Sequence, residues 1–275
     1  MSKQTELSTS RSDSLALLLR SLRLPTMQRV AEEFAGRAEK EAWSYGQYLH
    51  ALAELEVQER RHRRIERHLR ESDLLPGKTL ATLDRTKLPA KVQKALPSLC
   101  EGGFLERGDN VLAFGLPGRG KTHVVCAIGH ELVQRGHRVL FTPTYALVQR
   151  LLAAKRDLRL ERELAALDAI DAVILDDIGY VQQSREEMEV LFTFFAERYE
   201  RKSVVITSNL VFSEWDRIFK DPMTTAAAID RLVHHSTVLE LNGESVRAEE
   251  AAKAEQARKE ATTTTTTSTR PKRQA

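Results

Sequence analysis

The chain has 275 residues, 41% hydrophobic and 29% charged, with a formal net charge of +3. That is the composition of a globular protein able to bury one large core or two smaller ones, and no apolar run approaches the roughly 20 residues a membrane helix needs. The opening MSKQTELSTSRSDS lacks the apolar segment of a secretory signal. Cys100 and Cys126, the only cysteines, have no metal-ligand spacing, so the expectation is reduced thiols in the cytoplasm and no membrane association.

In chain order, residues 1–13 are polar and predict a disordered tail. Between 14 and 75, Leu, Ala, Glu and Arg dominate and Pro25 is the only proline, which predicts a helical domain. Within it, the stretch 45–71 places Ala51, Leu55, His62, Ile65 and Leu69 on one helical face, with Arg60, Arg63, Arg64 and Arg67 opposite. From Glu59 to Arg70 there are six Arg against two Glu. Two readings fit. Arg60, Arg61, Arg63, Arg64 and Arg67 form a stripe that displaces phosphate counterions from double-stranded DNA without reading its sequence. Alternatively, the arginines pair with Glu56, Glu59 and Glu66 on a solvated face.

Turn signals in LLPGKTLATLDRTKLP, 74–89, predict a connector, drawn over 76–108. From 109 onward short apolar runs at 110–115, 137–142, 171–177, 203–209 and 237–241 alternate with helical stretches. This predicts an α/β fold over 109–247, with a central parallel sheet flanked by crossover helices. Residues 248–275 read as a charged, low-complexity tail.

Gly115, Gly120, Lys121 and Thr122 match the phosphate-loop pattern G-x-x-x-x-G-K-[ST], between a strand-like and a helix-like run. Such a loop turns backbone N–H groups inward on phosphate oxygens, helped by the helix N-terminus. The candidate ATP contacts are Gly115, Leu116, Pro117, Gly118, Arg119, Gly120, Lys121, Thr122 and His123. Lys121 suits the β- and γ-phosphates, and the Thr122 hydroxyl suits Mg2+. AVILDDIG ends an apolar strand in Asp176, a second Mg2+ candidate. Asp177 is placed to orient or deprotonate the attacking water, or else to cap the turn before Ile178. SVVITSN ends in Thr207, Ser208 and Asn209, polar groups able to meet the γ-phosphate or to cap a loop.

With these residues in view, the chain resembles the AAA+ ATPases of the IstB/DnaC group, and IstB-like transposition helpers most closely. The resemblance runs from about Leu15 to Arg247 through GLPGRGKTH, VILDDIGY, LFTFFAERYERKSVVITSN, FSEWDRIFKD and IDRLVHHSTVLELNGESVR. It implies a Mg2+-dependent, DNA-stimulated ATPase that assembles as a homo-oligomer on target DNA and recruits a transposase encoded by the same element. It also implies that Asn209 is the phosphate sensor and Arg231 a finger reaching a neighbouring subunit's nucleotide; without it, Arg231 reads as a surface ion pair. Two further readings stand beside this one: a DnaC-like helicase loader, and a nucleotide-gated DNA-binding scaffold with little hydrolysis. The chain departs from the family in carrying Asp177 where Glu is commoner, and GESVR for GESYR before Arg247. His234 and His235 have no neighbouring acid or thiol in sequence to mark a metal site.

Overall fold

The computed structural model describes residues 14–180, 184–215 and 222–242. The tails expected to be disordered, and Arg247, lie outside the described residues. The chain divides into two compact units between Arg67 and His68.

The first unit is helical: α1 over 14–21, α2 Pro25–Lys40 and α3 Tyr45–Glu71, whose last residues belong to the second unit. Pro25 occupies the first turn of α2, where its missing N–H costs nothing. The buried residues of this unit are Thr26 and Val30 on α2, and Leu52 and Glu56 on α3. Glu56, only 2% exposed, accepts from the backbone N–H of Thr26 at 2.8 Å and of Met27 at 3.0 Å. A carboxylate in the first turn of α2 satisfies two otherwise orphaned donors and complements the helix dipole.

This contact reorganises the basic helix. The inward side of α3 runs through Leu52 and Glu56, whereas His62 and Leu69, expected on an apolar face, are exposed. Arg60 Nε lies 3.0 Å and Arg63 Nη2 3.6 Å from Glu56 Oε1. Arg60 also donates to the Arg23 carbonyl, and Arg63 to Thr26 Oγ1 at 3.2 Å. The periodicity missed this because a buried carboxylate counts as polar in any hydrophobic pattern.

The second unit is built on a five-stranded sheet: β1 Asn110–Phe114, β2 Val139–Pro143, β3 Ala172–Asp176, β4 Ser203–Ser208 and β5 Ser236–Glu240. Its order is β2-β3-β4-β1-β5 and every pairing is parallel. The expected α/β fold with a central parallel sheet and crossover helices is the fold found. Valine, isoleucine and leucine runs fit strands covered on both faces, and β1 and β4 are buried along their whole length. The crossovers are α6 Lys121–Gln134, α7 Thr144–Arg156, α8 Leu160–Asp168, α9 Arg185–Arg198 and a helix over Pro222–Val233, designated α10.

The stretch read as a connector, 76–108, contains a helix, α4 Ala90–Glu101, followed by the short α5 Gly103–Glu106. Val92, Leu96, Leu99 and Cys100 give α4 a buried face despite an internal Pro97. Residues 74–82 lie along α6. Leu74 packs where Gly129 leaves room, His130 Nε2 lies 3.1 Å from the Leu75 carbonyl, and His123 Nε2 lies 3.1 Å from that of Thr79. Where β3 and β4 begin, the buried Arg198 donates to the carbonyls of Leu167, Ile170, Asp171 and Ser203. Burial pulls its guanidinium down to about 10, against the pull of Asp168 and Asp171.

Candidate nucleotide site

The loop Gly115–Gly120 joins the end of β1 to the start of α6. Gly115 has a φ of 153°, and a Cβ there would lie 2.5 Å from the Leu241 carbonyl oxygen, so no side chain fits beside the end of β5. Gly120 has a left-handed φ of 82° and directly precedes α6, a turn that glycine makes without strain. Lys121 is 6% exposed, and its Nζ donates to the carbonyls of Gly115 at 2.7 Å and Leu116 at 3.2 Å. The ammonium is therefore folded back over the mouth of the loop.

Thr122 and Asp176, 54 residues apart, meet at the C-terminal edge of the sheet. Thr122 Oγ1 lies 2.9 Å from Asp176 Oδ1 and 3.2 Å from Oδ2. The backbone of Asp176 is fixed as well, because its carbonyl accepts from Thr144 Oγ1 at 2.9 Å. A hydroxyl and a carboxylate at the foot of a phosphate loop form an all-oxygen donor set, which suits a hard divalent cation such as Mg2+.

Thr207 was legible in sequence only as a polar strand end. In the structure its hydroxyl donates to Asp176 Oδ1 at 2.7 Å and accepts from the Asp177 N–H at 2.8 Å. One buried hydroxyl thus holds both acids. The signal that finds it is register: Leu175 pairs with Ile206, so Thr207 stands beside Asp176 on the neighbouring strand. Asp177 itself has a left-handed φ of 55° and precedes a 3-10 turn, Ile178–Tyr180. That is not the extended backbone of a helix N-cap.

Asn209 follows β4 and its Oδ1 is buried with no hydrogen-bond partner among the described residues. It sits against the turn after Asp177, since a Cβ on Gly179 would overlap that oxygen. Ser208 does the loop capping instead, through its hydroxyl and the backbone of Leu210. His123, expected among the ATP contacts, has its ring engaged by Thr79 and Thr82 Oγ1. Cys100 and Cys126 are buried free thiols, each pushed up to about 11 by burial.

Arg231 does not join this group. It lies in the last turn of α10, donates to the Ala227 carbonyl at 3.1 Å and covers the Phe192 ring at 4.8 Å. The carbonyl of the next residue, Leu232, accepts from Asn110, which opens β1, whereas the phosphate loop follows Phe114 at the far end. At about 3.3 Å per residue, β1 alone separates the two ends by about 13 Å. Of the stripe expected on α3, Arg60 and Arg63 are engaged by Glu56, and Arg61, Arg64 and Arg67 are exposed. Among the described residues no helix is long and apolar enough to cross a membrane.

The sequence profile of the family described as IstB-like ATP binding protein matches residues 17–254. The chain is 46% identical to a putative insertion sequence ATP-binding protein of Sinorhizobium fredii, covering 89% of this chain and 82% of that one. It is 38% identical to the IS21 putative ATP-binding protein of Pseudomonas aeruginosa, covering 87% and 91%. Its fold resembles the replication initiator DnaA bound to AMPPCP and single-stranded DNA, with a TM-score of 0.54 and 18% identity over 63% of this chain and 52% of that one. It also resembles DnaI, with a TM-score of 0.50 and 20% identity over 59% and 90%. At these identities the structural likeness speaks for the fold alone, and that fold is the AAA+ phosphate-loop sheet.

Proposed function

Because the chain belongs to the IstB-like ATP-binding proteins of insertion sequences, we propose that it is a cytoplasmic, DNA-stimulated ATPase that helps an element transpose by assembling on target DNA and engaging a partner transposase. The observation that carries the ATPase reading is the meeting of Thr122 with Asp176 beside a buried Lys121. Phosphate loop and acid occupy one sheet edge, where open α/β sheets bind their ligands.

In this reading the N–H groups of the Gly115–Gly120 loop receive the phosphates, and Lys121 turns from the loop carbonyls to the β- and γ-phosphoryl oxygens. Thr122 and Asp176 would hold Mg2+, which when bound supplies positive charge to the phosphoryl oxygens. Asp177 orients the attacking water and accepts its proton. The carboxamide of Asn209, beside the turn that follows Asp177, would respond to loss of the γ-phosphate. Arg231, on the opposite end of its own sheet, would act on the nucleotide of a neighbouring copy, so that hydrolysis depends on assembly.

Contact with double-stranded DNA falls to the exposed Arg61, Arg64 and Arg67. Nothing in that set is arranged to read base edges, and binding through phosphates is independent of sequence and sensitive to salt.

The test is steady-state ATP turnover with Mg2+, with and without duplex DNA, for the wild type, Lys121→Ala and Asp177→Asn. Turnover that rises with DNA and falls at least tenfold in both variants supports the reading. Wild-type turnover no higher than that of Lys121→Ala, with DNA bound, would leave a nucleotide-gated scaffold in its place.

A further inference from the structure

We propose that Glu200, His234 and His235 form a surface site for a divalent transition metal of the zinc class. Their ligand atoms, one from each residue, all lie within 4.8 Å of one another, and this is the one such group among the described residues. Asp230 precedes His234 by four positions, but the acid of this group comes from 34 positions earlier, where α9 turns into β4.

Three features make this a built arrangement. Glu200 is held in the turn by a left-handed φ of 55°, and Gly108 lies so close to its backbone that a Cβ there would stand 3.0 Å from its carbonyl carbon. His235 Nε2 already lies 3.7 Å from Glu200 Oε1. His234 is held by Tyr199, whose hydroxyl is 3.1 Å from Nδ1 and also hydrogen-bonds Glu200. In the tautomer whose Nδ1–H donates to that oxygen, the lone pair for a metal is on Nε2, the arrangement in which an outer partner fixes a ligand's tautomer.

Two neutral imidazole nitrogens and one carboxylate oxygen match a zinc-type donor set with an open fourth position. Imidazole donors favour Zn2+, Ni2+ and Cu2+ over Mg2+, so the site differs in chemistry from Thr122 and Asp176. The charges acting on Tyr199, beside the site, are Glu200 and Asp230 against Arg231, a balance that admits a cation. A bound ion would tie the turn after α9 to the junction of α10 and β5, one helical turn beyond Arg231.

The experiment is calorimetric titration of Zn2+ into the untagged full chain, with Mg2+ present and nucleotide absent. The wild type should take up one equivalent more than the His234→Ala/His235→Ala double variant. Glu200→Ala and Tyr199→Phe should each weaken binding, the latter by about tenfold as expected for an outer partner. Equal zinc uptake by the wild type and the double variant, or no uptake by either, would overturn the proposal. Because His234, His235 and Glu200 are exposed, the variants should melt with the metal-free wild type. A zinc-dependent rise in melting temperature should be seen in the wild type and be absent from the His234→Ala/His235→Ala double variant.

Discussion

Replacing Thr207 with valine keeps the shape of the side chain and deletes its hydroxyl. Asp176 Oδ1 then loses a donor at 2.7 Å, and the Asp177 N–H loses its acceptor at 2.8 Å. A hydrogen bond to a charged group contributes about 1.5–3 kcal/mol, and a buried donor left unpaired costs about 1–3 kcal/mol. Thr207 is fully buried, so water does not replace either partner in place. The two losses share one atom, and a net destabilisation of about 3 kcal/mol is expected. For a unit of this size each kcal/mol lowers the melting temperature by about 2–4 °C, so thermal denaturation should shift by about 6–12 °C. Thr207→Ser retains the hydroxyl and should recover most of the loss. In turnover assays the valine variant should also need more Mg2+ to reach half its maximal rate, because the Asp176 carboxylate is no longer oriented. A Thr207→Val protein that melts with the wild type and keeps its Mg2+ dependence would refute the bridging role.

At Glu56, burial pushes the carboxyl up, but hydrogen bonds from the Met27 N–H, Arg60 and the Thr26 N–H outweigh it and hold the group below its usual 4.5. A depressed folded value confers stability above pH 4.5 that is lost as pH falls through the folded value. Circular dichroism of urea unfolding should therefore show a steeper acid loss in the wild type than in Glu56→Gln, and equal slopes would contradict this. Arg61→Ala/Arg64→Ala/Arg67→Ala should lower the salt slope of duplex DNA binding by about 3 while leaving the fold intact. Arg60→Ala should instead weaken the helical unit, since it strips a buried carboxylate of a partner; a normal melt for Arg60→Ala would be evidence against that division of labour. Gly179→Ala places a methyl on the Asn209 amide. Its ATP turnover should fall roughly tenfold to a hundredfold while fluorescent-nucleotide binding persists.

What could be read directly from the chain is what local chemistry encodes. The phosphate loop, with its flanking strand and helix, is contiguous, and the strands announce themselves as apolar runs ending in polar residues. What could not be read depends on partners far away in sequence. Thr207 gains its meaning only from the register of β3 against β4. Glu200 reaches the two histidines only because α9 and α10 end near each other. Residues 74–82 look like a linker because their contacts with α6 run largely through backbone carbonyls, which carry no residue identity. On α3 five arginines, Arg60, Arg61, Arg63, Arg64 and Arg67, read as one stripe, yet a buried carboxylate draws two of them to the side facing α2.

The departure at Asp177 has a physical counterpart in its backbone. Left-handed φ values are costly for β-branched or bulky side chains, and Asp is enriched there among non-glycine residues, although Glu200 and Leu158 also adopt them in this chain. At φ 55° the chain turns sharply out of β3, and the Asp177 N–H is caught by Thr207 on the adjacent strand. Strain of about 1–3 kcal/mol at such a residue persists only where its surroundings over-determine it. Here the determinant is a hydrogen bond between neighbouring strands, made by the same hydroxyl that holds Asp176. The backbone from which the Asp177 side chain projects is therefore tied to the sheet by the hydroxyl that also holds Asp176.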